Sequence, residues 1–201
     1  MHNPFGMDEG CTNCPALVPT RHDIVHGFGD VHAEFFFVFE APSAESDAHG
    51  HPLATDGPFS DILTEVGFQI DKTDPDDAPV LNNAFISHLA RCYHPERPPR
   101  DDEIAACDPF LTAEIRSINP ELLVPIGERP LAVLAQEYTT HDVSDLATEA
   151  VHGEPIRGRG FELLPMVAPP LLTDERIATF IDAMETTMGR DYRQTKGRRS
   201  R

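Results

Sequence analysis

Four cysteines are the residues of this chain whose types and spacing most readily suggest chemistry. Cys11 and Cys14 form a C-x2-C pair near the start, and Cys92 and Cys107 follow after a long gap. In a reducing cytosol, such cysteines are metal or redox ligands more often than disulfide partners. One short pair with two separated cysteines favours an iron-sulfur cluster, provided that the fold brings them together. A zinc site and four unconnected thiols are the alternatives.

The charge balance is the second unusual feature. The chain of 201 residues is 40% hydrophobic, which is enough for one domain with a sizeable core. Its 34 acidic residues outnumber 16 basic ones, so the net charge is −18, and lysine occurs only at Lys72 and Lys196. Bulk charge therefore disfavours nucleic-acid binding at low salt. Scattered acids favour adaptation to multimolar salt, as in a halophilic protein, over an acidic surface for a cationic partner.

The last twelve residues differ from the rest because they hold six basic residues and one acidic residue. We predict a domain over residues 1–189 and a flexible basic tail over residues 190–201. No stretch approaches the roughly 20 apolar residues of a membrane span, and the start has no signal-peptide pattern. We expect a cytoplasmic protein with no membrane partner and, since nothing indicates oligomerisation, a monomer.

Short apolar runs alternate with helical patterns along the chain. The runs predict strands buried on both faces, at Ala33–Phe39, Asn82–Ser87, Leu122–Ile126 and Glu162–Val167. The helical patterns cover Asp61–Val66, Asp101–Ile118, Arg129–Gln136 and Asp174–Met188. This alternation predicts an α/β fold, a three-layer α/β/α sandwich around a central four-stranded parallel sheet. Pro109 should kink or split the second helix.

Ligands of such folds bind beyond the carboxyl ends of the strands. Three segments are predicted to lie there: Glu40–Pro58, His88–Arg100 and Ala168–Thr173. The sequence therefore places its candidate site in these three segments.

An ordered series of motifs runs through these segments. The C-x2-C start is followed by Phe-Glu-Ala-Pro-Ser at 39–43, Gly-His-Pro-Leu at 50–53, Ile-Ser-His-Leu-Ala-Arg-Cys at 86–92, Glu-Ile-Ala-Ala-Cys at 103–107 and Val-x-Ile-Gly at 124–127. This series resembles the iron-sulfur uracil-DNA glycosylases, called family 4. The resemblance implies a [4Fe-4S] cluster on Cys11, Cys14, Cys92 and Cys107. It also implies hydrolysis of the N-glycosidic bond of uracil in DNA, with the cluster in a structural role.

The resemblance assigns roles to the first motif. Glu40 is the implied catalytic carboxylate, which positions water or stabilises the sugar cation, and Ala41 and Pro42 bind substrate beside it. Glu45 lies in the same loop as a further substrate-binding candidate, although a solvated acidic loop explains it equally well. Ser43 replaces the family's second glycine, and a side chain there hinders close approach of the backbone to substrate.

Three further positions depart from the family pattern. Leu53 stands where the family stacks a phenylalanine on the base, and leucine lacks a π-face; Phe59, six residues on, is more suited to the core. His88 stands where an asparagine contacts uracil, so His88 is implied as the base-contacting or acidic catalytic residue. Ala168 replaces the histidine that stabilises the departing anion, which removes an important rate contribution.

These observations support three hypotheses. The first is a divergent DNA glycosylase that hydrolyses the bond to a flipped, deaminated base during DNA repair. The second is a catalytically impaired relative that keeps the fold and cluster and binds nucleic acid or a protein through the pocket and the basic tail. The third is a small-molecule hydrolase or transferase, or a plain zinc protein. Multimolar salt screens the repulsion between an acidic domain and DNA, so the net charge does not exclude DNA binding. The basic tail over residues 190–201 is the most cationic stretch that could contact phosphate.

Overall fold

Apolar strands with helices on both sides form the fold. The structure is a computed structural model that describes residues 3–52, 57–70 and 80–190. The strands are β1 (Phe28–Gly29), β2 (Phe35–Phe39), β3 (Gln69–Ile70), β4 (Val80–Leu81), β5 (Ala84–His88), β6 (Leu122–Pro125), β7 (Ile156–Arg157) and β8 (Glu162–Leu163). The helices are α1 (Ala44–His49), α2 (Pro58–Glu65), α3 (Asp101–Ile118), α4 (Glu128–Tyr138) and α5 (Asp174–Met188).

The main sheet of the described chain has six strands in the order β1-β5-β2-β6-β8-β7. Its four central strands, β5, β2, β6 and β8, are all parallel and coincide with the four predicted runs. The sequence missed β1 and β7, which pair antiparallel at the two edges, and the separate hairpin of β3 and β4. Each of these strands has only two residues, too few to show a periodic pattern.

Alternating residues of β2 face two helical layers. Phe35 and Phe37 pack in a core with α2 and α5, whereas Phe36 and Val38 pack in a second core with α3 and α4. This alternation is the period-two pattern of a strand that is buried on both faces. The predicted α/β/α sandwich is therefore confirmed. None of the helices in the described segments combines the length and apolarity that a membrane crossing requires.

The predicted interruption at Pro109 is wrong, because α3 continues through it as one helix of 18 residues. Pro109 is exposed and takes no part in the core. The buried residues Ile104, Leu111 and Ile115 anchor the helix to the sheet on both sides of the proline. Tertiary packing therefore offsets the backbone hydrogen bond that proline cannot donate.

The predicted domain boundary is only partly covered by the described residues. α5 ends at Met188 with Gly189 as its C-cap, as the sequence indicated. Of the proposed tail, only Arg190 is described, and it lies 3.4 Å from Glu162. Residues 191–201 lie outside the described residues.

Candidate functional site

The four cysteines converge where the start of the chain meets the end of β5 and the start of α3. Cys14 and Cys92 are buried in one small cluster, and Cys11 packs against it. The same cluster contacts Ala106, the neighbour of Cys107 in α3. Cys14 Sγ lies 3.9 Å from the carbonyl oxygen of Glu103, one turn before Cys107. The fold thus brings together both halves of the predicted ligand set.

Burial and mutual repulsion raise the pKa values of three of these thiols. Burial raises the pKa of Cys14 to about 11, and the neighbouring Cys107, Cys92 and Cys11 thiols contribute to the rise. Burial is also the largest cause that raises the pKa of Cys92 and of Cys107. A thiophilic metal centre would remove both penalties, because its positive charge stabilises adjacent thiolates.

Arg21 joins the two halves of the cysteine set. Its Nη1 donates to Cys92 Sγ at 3.1 Å, and its Nη2 donates to the carbonyl oxygen of Cys11 at 2.6 Å. A cation that donates N–H groups to ligand sulfur stabilises the thiolate form. The donor set and its surroundings therefore fit a thiolate-bound, negatively charged centre.

The arrangement does not offer a ready site for one ion. Among the described residues, no three His, Cys, Asp or Glu side chains are placed to hold a single metal ion. Zinc needs its ligands in a tight tetrahedron around one point, whereas the four thiolates of a [4Fe-4S] cluster each bind a different iron.

A cavity of about 370 Å³ opens at the carboxyl ends of β2 and β5. It lies where the sequence placed the ligand site, and its walls are mainly proline and aromatic side chains. The lining residues are Phe39, Ala41, Pro42, Ser43, Ser46, Pro52, Gly57, Pro58, Phe59, Ser60, His88, Pro169 and Pro170. Apolar walls with a few polar groups are typical of pockets that enclose a small planar ligand.

Among the described residues that line the cavity, His88 is the titratable one. It is 2% exposed, and burial, with the nearby Arg91 cation, lowers its pKa to about 3. The imidazole is therefore neutral at physiological pH. Its Nδ1 is buried and has no hydrogen-bond partner among the described residues. The ring lines the cavity, where a ligand can contact it.

Two phenylalanines form the aromatic part of the wall. Phe59, which the sequence assigned to the core, is 8% exposed and both packs in the core and lines the cavity. Its ring meets Phe39 edge to face, with centroids 4.9 Å apart. The Phe39 ring centroid in turn lies 6.0 Å from that of His88. Phe59 is thus an aromatic residue of the cavity wall, whereas Leu53 lies outside the described residues.

Ser43, which replaces a glycine of the family motif, has a local structural role. Its hydroxyl accepts a hydrogen bond from the backbone N–H of Ser46 at 3.0 Å and caps α1. Ser43 is exposed at the cavity rim, so it does not fill the space beside Ala41 and Pro42. The substitution therefore starts a short helix after the strand and leaves the cavity open.

Glu40 lies beside the cavity but is not among its lining residues. Its Oε1 is 3.0 Å from Nη1 of Arg129, at the start of α4. Sequence reasoning missed Arg129, although a signal existed: this residue follows the end of the third predicted strand, which was not included among the candidate segments. Successive residues of a strand point to opposite faces, so Phe39 lines the cavity and Glu40 faces the α3 and α4 side.

The remaining predicted residues have different positions. Glu45 is exposed in the first turn of α1 and does not line the cavity. Its neighbour Asp47 is buried and accepts backbone hydrogen bonds from His22 and Asp23, so it stabilises the fold. Ala168 precedes the lining residue Pro169 and packs near Gly127. Its methyl group has no polar function to offer.

Sequence comparisons relate the chain to known proteins. Residues 26–182 match the sequence model of the uracil DNA glycosylase superfamily. The chain is similar to a type-4 uracil-DNA glycosylase of Saccharolobus solfataricus, with 34% identity over 125 residues, 62% of this chain and 54% of that protein. A type-4 uracil-DNA glycosylase of Thermotoga maritima is 29% identical over 170 residues, 83% of this chain and 79% of that protein. The match thus spans about half the length of the Saccharolobus relative.

Replacing His88 with asparagine should make the unfolding free energy depend less steeply on pH below about pH 6. The pKa of His88 is about 3 in the folded chain, against about 6.5 for an unfolded histidine. Between these values only the unfolded chain binds the proton, so stability falls as pH falls, by up to about 1.4 kcal/mol per pH unit. Urea titrations between about pH 6 and pH 4 measure this slope.

The exposed His141 supplies the matched control for this prediction. His141→Asn should leave the dependence of the unfolding free energy on pH close to that of the unmodified protein. Equal slopes for His88→Asn and the unmodified protein would show that His88 is not held neutral by the fold.

Proposed function

The chain belongs to the uracil DNA glycosylase superfamily, and on that premise we propose that it hydrolyses the N-glycosidic bond of a flipped, deaminated base in DNA. Uracil is the base expected first, because the type-4 relatives are named as uracil-DNA glycosylases. The target nucleotide would leave the base stack and enter the cavity at the ends of β2 and β5.

The observation that carries this proposal is the neutral His88 in a mainly apolar cavity wall. With Nδ1 buried, Nε2 is available to donate a hydrogen bond to a carbonyl oxygen of the base. A donor in an apolar, water-poor site stabilises developing negative charge better than one in water. Phe59 and Phe39 supply aromatic surface against the base. This wall suits a keto-bearing, planar ligand.

The reaction also needs a carboxylate to stabilise the positive charge that develops on the sugar. As the bond between the sugar and the base breaks, the bonding electrons leave with the base, and the sugar carbon becomes cationic. Glu40 adjoins the cavity and is the candidate for stabilising that cation or orienting the attacking water. Water supplies hydroxide to the sugar carbon and a proton to the base, so the step needs no redox partner.

The methyl group at Ala168 implies a slow enzyme. A position that offers no donor to the departing anion removes one contribution to transition-state stabilisation, on the order of 10² to 10³ in rate. His88 compensates in part because it contacts the base from another wall of the cavity. A second candidate function, a binding module without catalysis, is favoured by the same alanine.

We also propose that Cys11, Cys14, Cys92 and Cys107 hold a [4Fe-4S] cluster. The support is the convergence of four thiols, three of them buried, and the Arg21 contact. When bound, the cluster would join the start of the chain to the end of β5 and to α3. Its contribution is to the fold that positions His88, and the chemistry at the cavity proceeds without it.

The remaining expectations are part of the same proposal. The protein would be a cytoplasmic monomer that acts on DNA, as the superfamily indicates. Its scattered acidic residues support work in high salt. The basic residues 191–201, which lie outside the described part, would supply attraction to phosphate.

Iron analysis tests the cofactor. Protein purified without oxygen should be brown and contain about four irons per chain, as a [4Fe-4S] cluster bound by four thiolates requires. Cys107→Ser should lose the colour and most of the iron, whereas Ser117→Ala, at an exposed site of the same helix, should retain both. A colourless protein that holds zinc would contradict the proposal.

Base release tests the activity. In molar potassium chloride, the protein should release uracil from single- and double-stranded oligonucleotides, and hypoxanthine-containing strands test other deaminated bases. Glu40→Gln and His88→Ala should each slow release at least about tenfold, because each removes one charge or donor at the reacting groups. Glu45→Gln, an exposed change of the same type outside the cavity, is the matched control.

The result also separates the two candidate functions. Binding of abasic or uracil-containing DNA without any base release would support the binding module and contradict the enzyme. Release that survives both Glu40→Gln and His88→Ala would place the reaction elsewhere.

A further inference from the structure

Arg129 connects three elements that meet beside the cavity. It stands in the first turn of α4, and its Nη1 is 3.0 Å from Glu40 Oε1 at the end of β2. The same Nη1 donates to the carbonyl oxygen of Pro99, and Nη2 pairs with Asp101 at the start of α3. One guanidinium therefore fixes the end of a central strand and the starts of two helices.

These contacts determine where the Glu40 carboxylate can lie. The Glu40 backbone is already fixed, because its carbonyl oxygen accepts a hydrogen bond from Ala90 at 3.0 Å, two residues after His88. Arg129 then holds Oε1, while Oε2 has no hydrogen bond to any described residue. A carboxylate that is oriented through one oxygen keeps the other available to a water molecule or a sugar cation.

The exposure of the Glu40–Arg129 pair indicates whether the contact mainly stabilises the fold or mainly orients the carboxylate. The Glu40 side chain is 35% exposed and that of Arg129 is 27% exposed. An isolated, partly exposed ion pair adds little stability. Arg129 makes three contacts to separate elements, however, and its planar fork needs little reordering to keep them. Its contribution is therefore to geometry more than to the free energy of unfolding.

We propose that Arg129 is a positioning residue that acts on the reaction through Glu40. The inference rests on the proposed glycosylase function and adds a residue that the family motifs do not include. Arg129 holds the carboxylate at the edge of the cavity through Oε1 and leaves Oε2 available to the reacting sugar. A free glutamate side chain at a strand end would sample several rotamers, and misplacement of a reacting group by about an ångström slows a reaction strongly.

A competing role for Arg129 is direct attraction of a DNA phosphate. That role predicts weaker DNA binding when the guanidinium is removed, with an effect that falls as salt rises. A positioning role predicts instead a slower chemical step with unchanged binding. The two roles also differ in whether the effect of Arg129 depends on the presence of Glu40.

A double-mutant cycle of base release separates these roles. The proteins are the unmodified chain, Arg129→Gln, Glu40→Gln and the double variant, assayed by single-turnover release of uracil at saturating DNA. Arg129→Gln should slow release by about ten- to a hundredfold, with the Kd for DNA unchanged. The double variant should be no slower than Glu40→Gln alone, because residues that act as a unit are not additive.

Two further variants control for charge and folding. Arg129→Lys should recover part of the rate, because lysine keeps the charge but not the fork. Arg116→Gln removes the same charge from an exposed position of α3 and should release uracil at the unmodified rate. Thermal unfolding of every variant confirms that it is folded.

Each outcome has a defined meaning. Additive losses in rate, or a loss confined to DNA affinity, would overturn the positioning role while leaving the glycosylase function intact. Release at the unmodified rate by Arg129→Gln would do the same. No release by the unmodified protein, when it is folded and binds DNA, would instead overturn the proposed function and the inference with it.

Discussion

The buried ion pair between Arg91 and Glu114 holds the elements of the site in place. Arg91 Nη2 lies 2.7 Å from Glu114 Oε1, and both side chains are almost fully buried. Ser87 donates to the same carboxylate at 2.6 Å. The pair thus joins the end of β5, between His88 and Cys92, to the middle of α3, two turns after Cys107. Breaking a buried pair of this kind typically costs about 3 to 5 kcal/mol, because it leaves an uncompensated buried charge.

The side chains next to that ion pair alternate between the two faces of the sheet. Ser87 faces Glu114 and α3, so the next residue, His88, faces the cavity. Phe39 and Glu40 divide in the same way at the end of β2, which places aromatic surface in the cavity wall and a carboxylate at its edge. The Arg91 cation also contributes to the low pKa of His88. The neutral His88 imidazole and the Glu40 carboxylate thereby lie on opposite faces of the sheet at the ends of neighbouring strands.

The central architecture could be predicted from the sequence because long apolar runs and long amphipathic helices carry periodic signals. The limits of Asp101–Ile118 and Asp174–Met188 were correct to the residue, and the four parallel strands were found. The short strands β1, β3, β4 and β7 were not found, since pairing partners rather than local pattern define them. Pro109 misled the prediction because packing on both sides of it is a tertiary property.

The site was less accessible to sequence reasoning for a similar reason. The cysteines, His88 and Ala41 were identified by motif, and the fold brings them to the expected places. The contact of Arg129 with Glu40 joins residues that are 89 positions apart. The contact of Phe59 with Phe39 joins residues that are 20 positions apart. Sequence spacing carries no information about such contacts until the topology is known.

A structure with trapped DNA is the sharpest test of how the cavity works. An oligonucleotide with 2′-fluoroarabinouridine resists cleavage of the glycosidic bond and should hold a flipped uracil in place. We expect the uracil inside the cavity, with His88 Nε2 within hydrogen-bond distance of a base oxygen, Phe59 beside the ring and Glu40 near the sugar carbon. A uracil that stays stacked in the DNA, or that binds elsewhere on the protein, would contradict this mechanism.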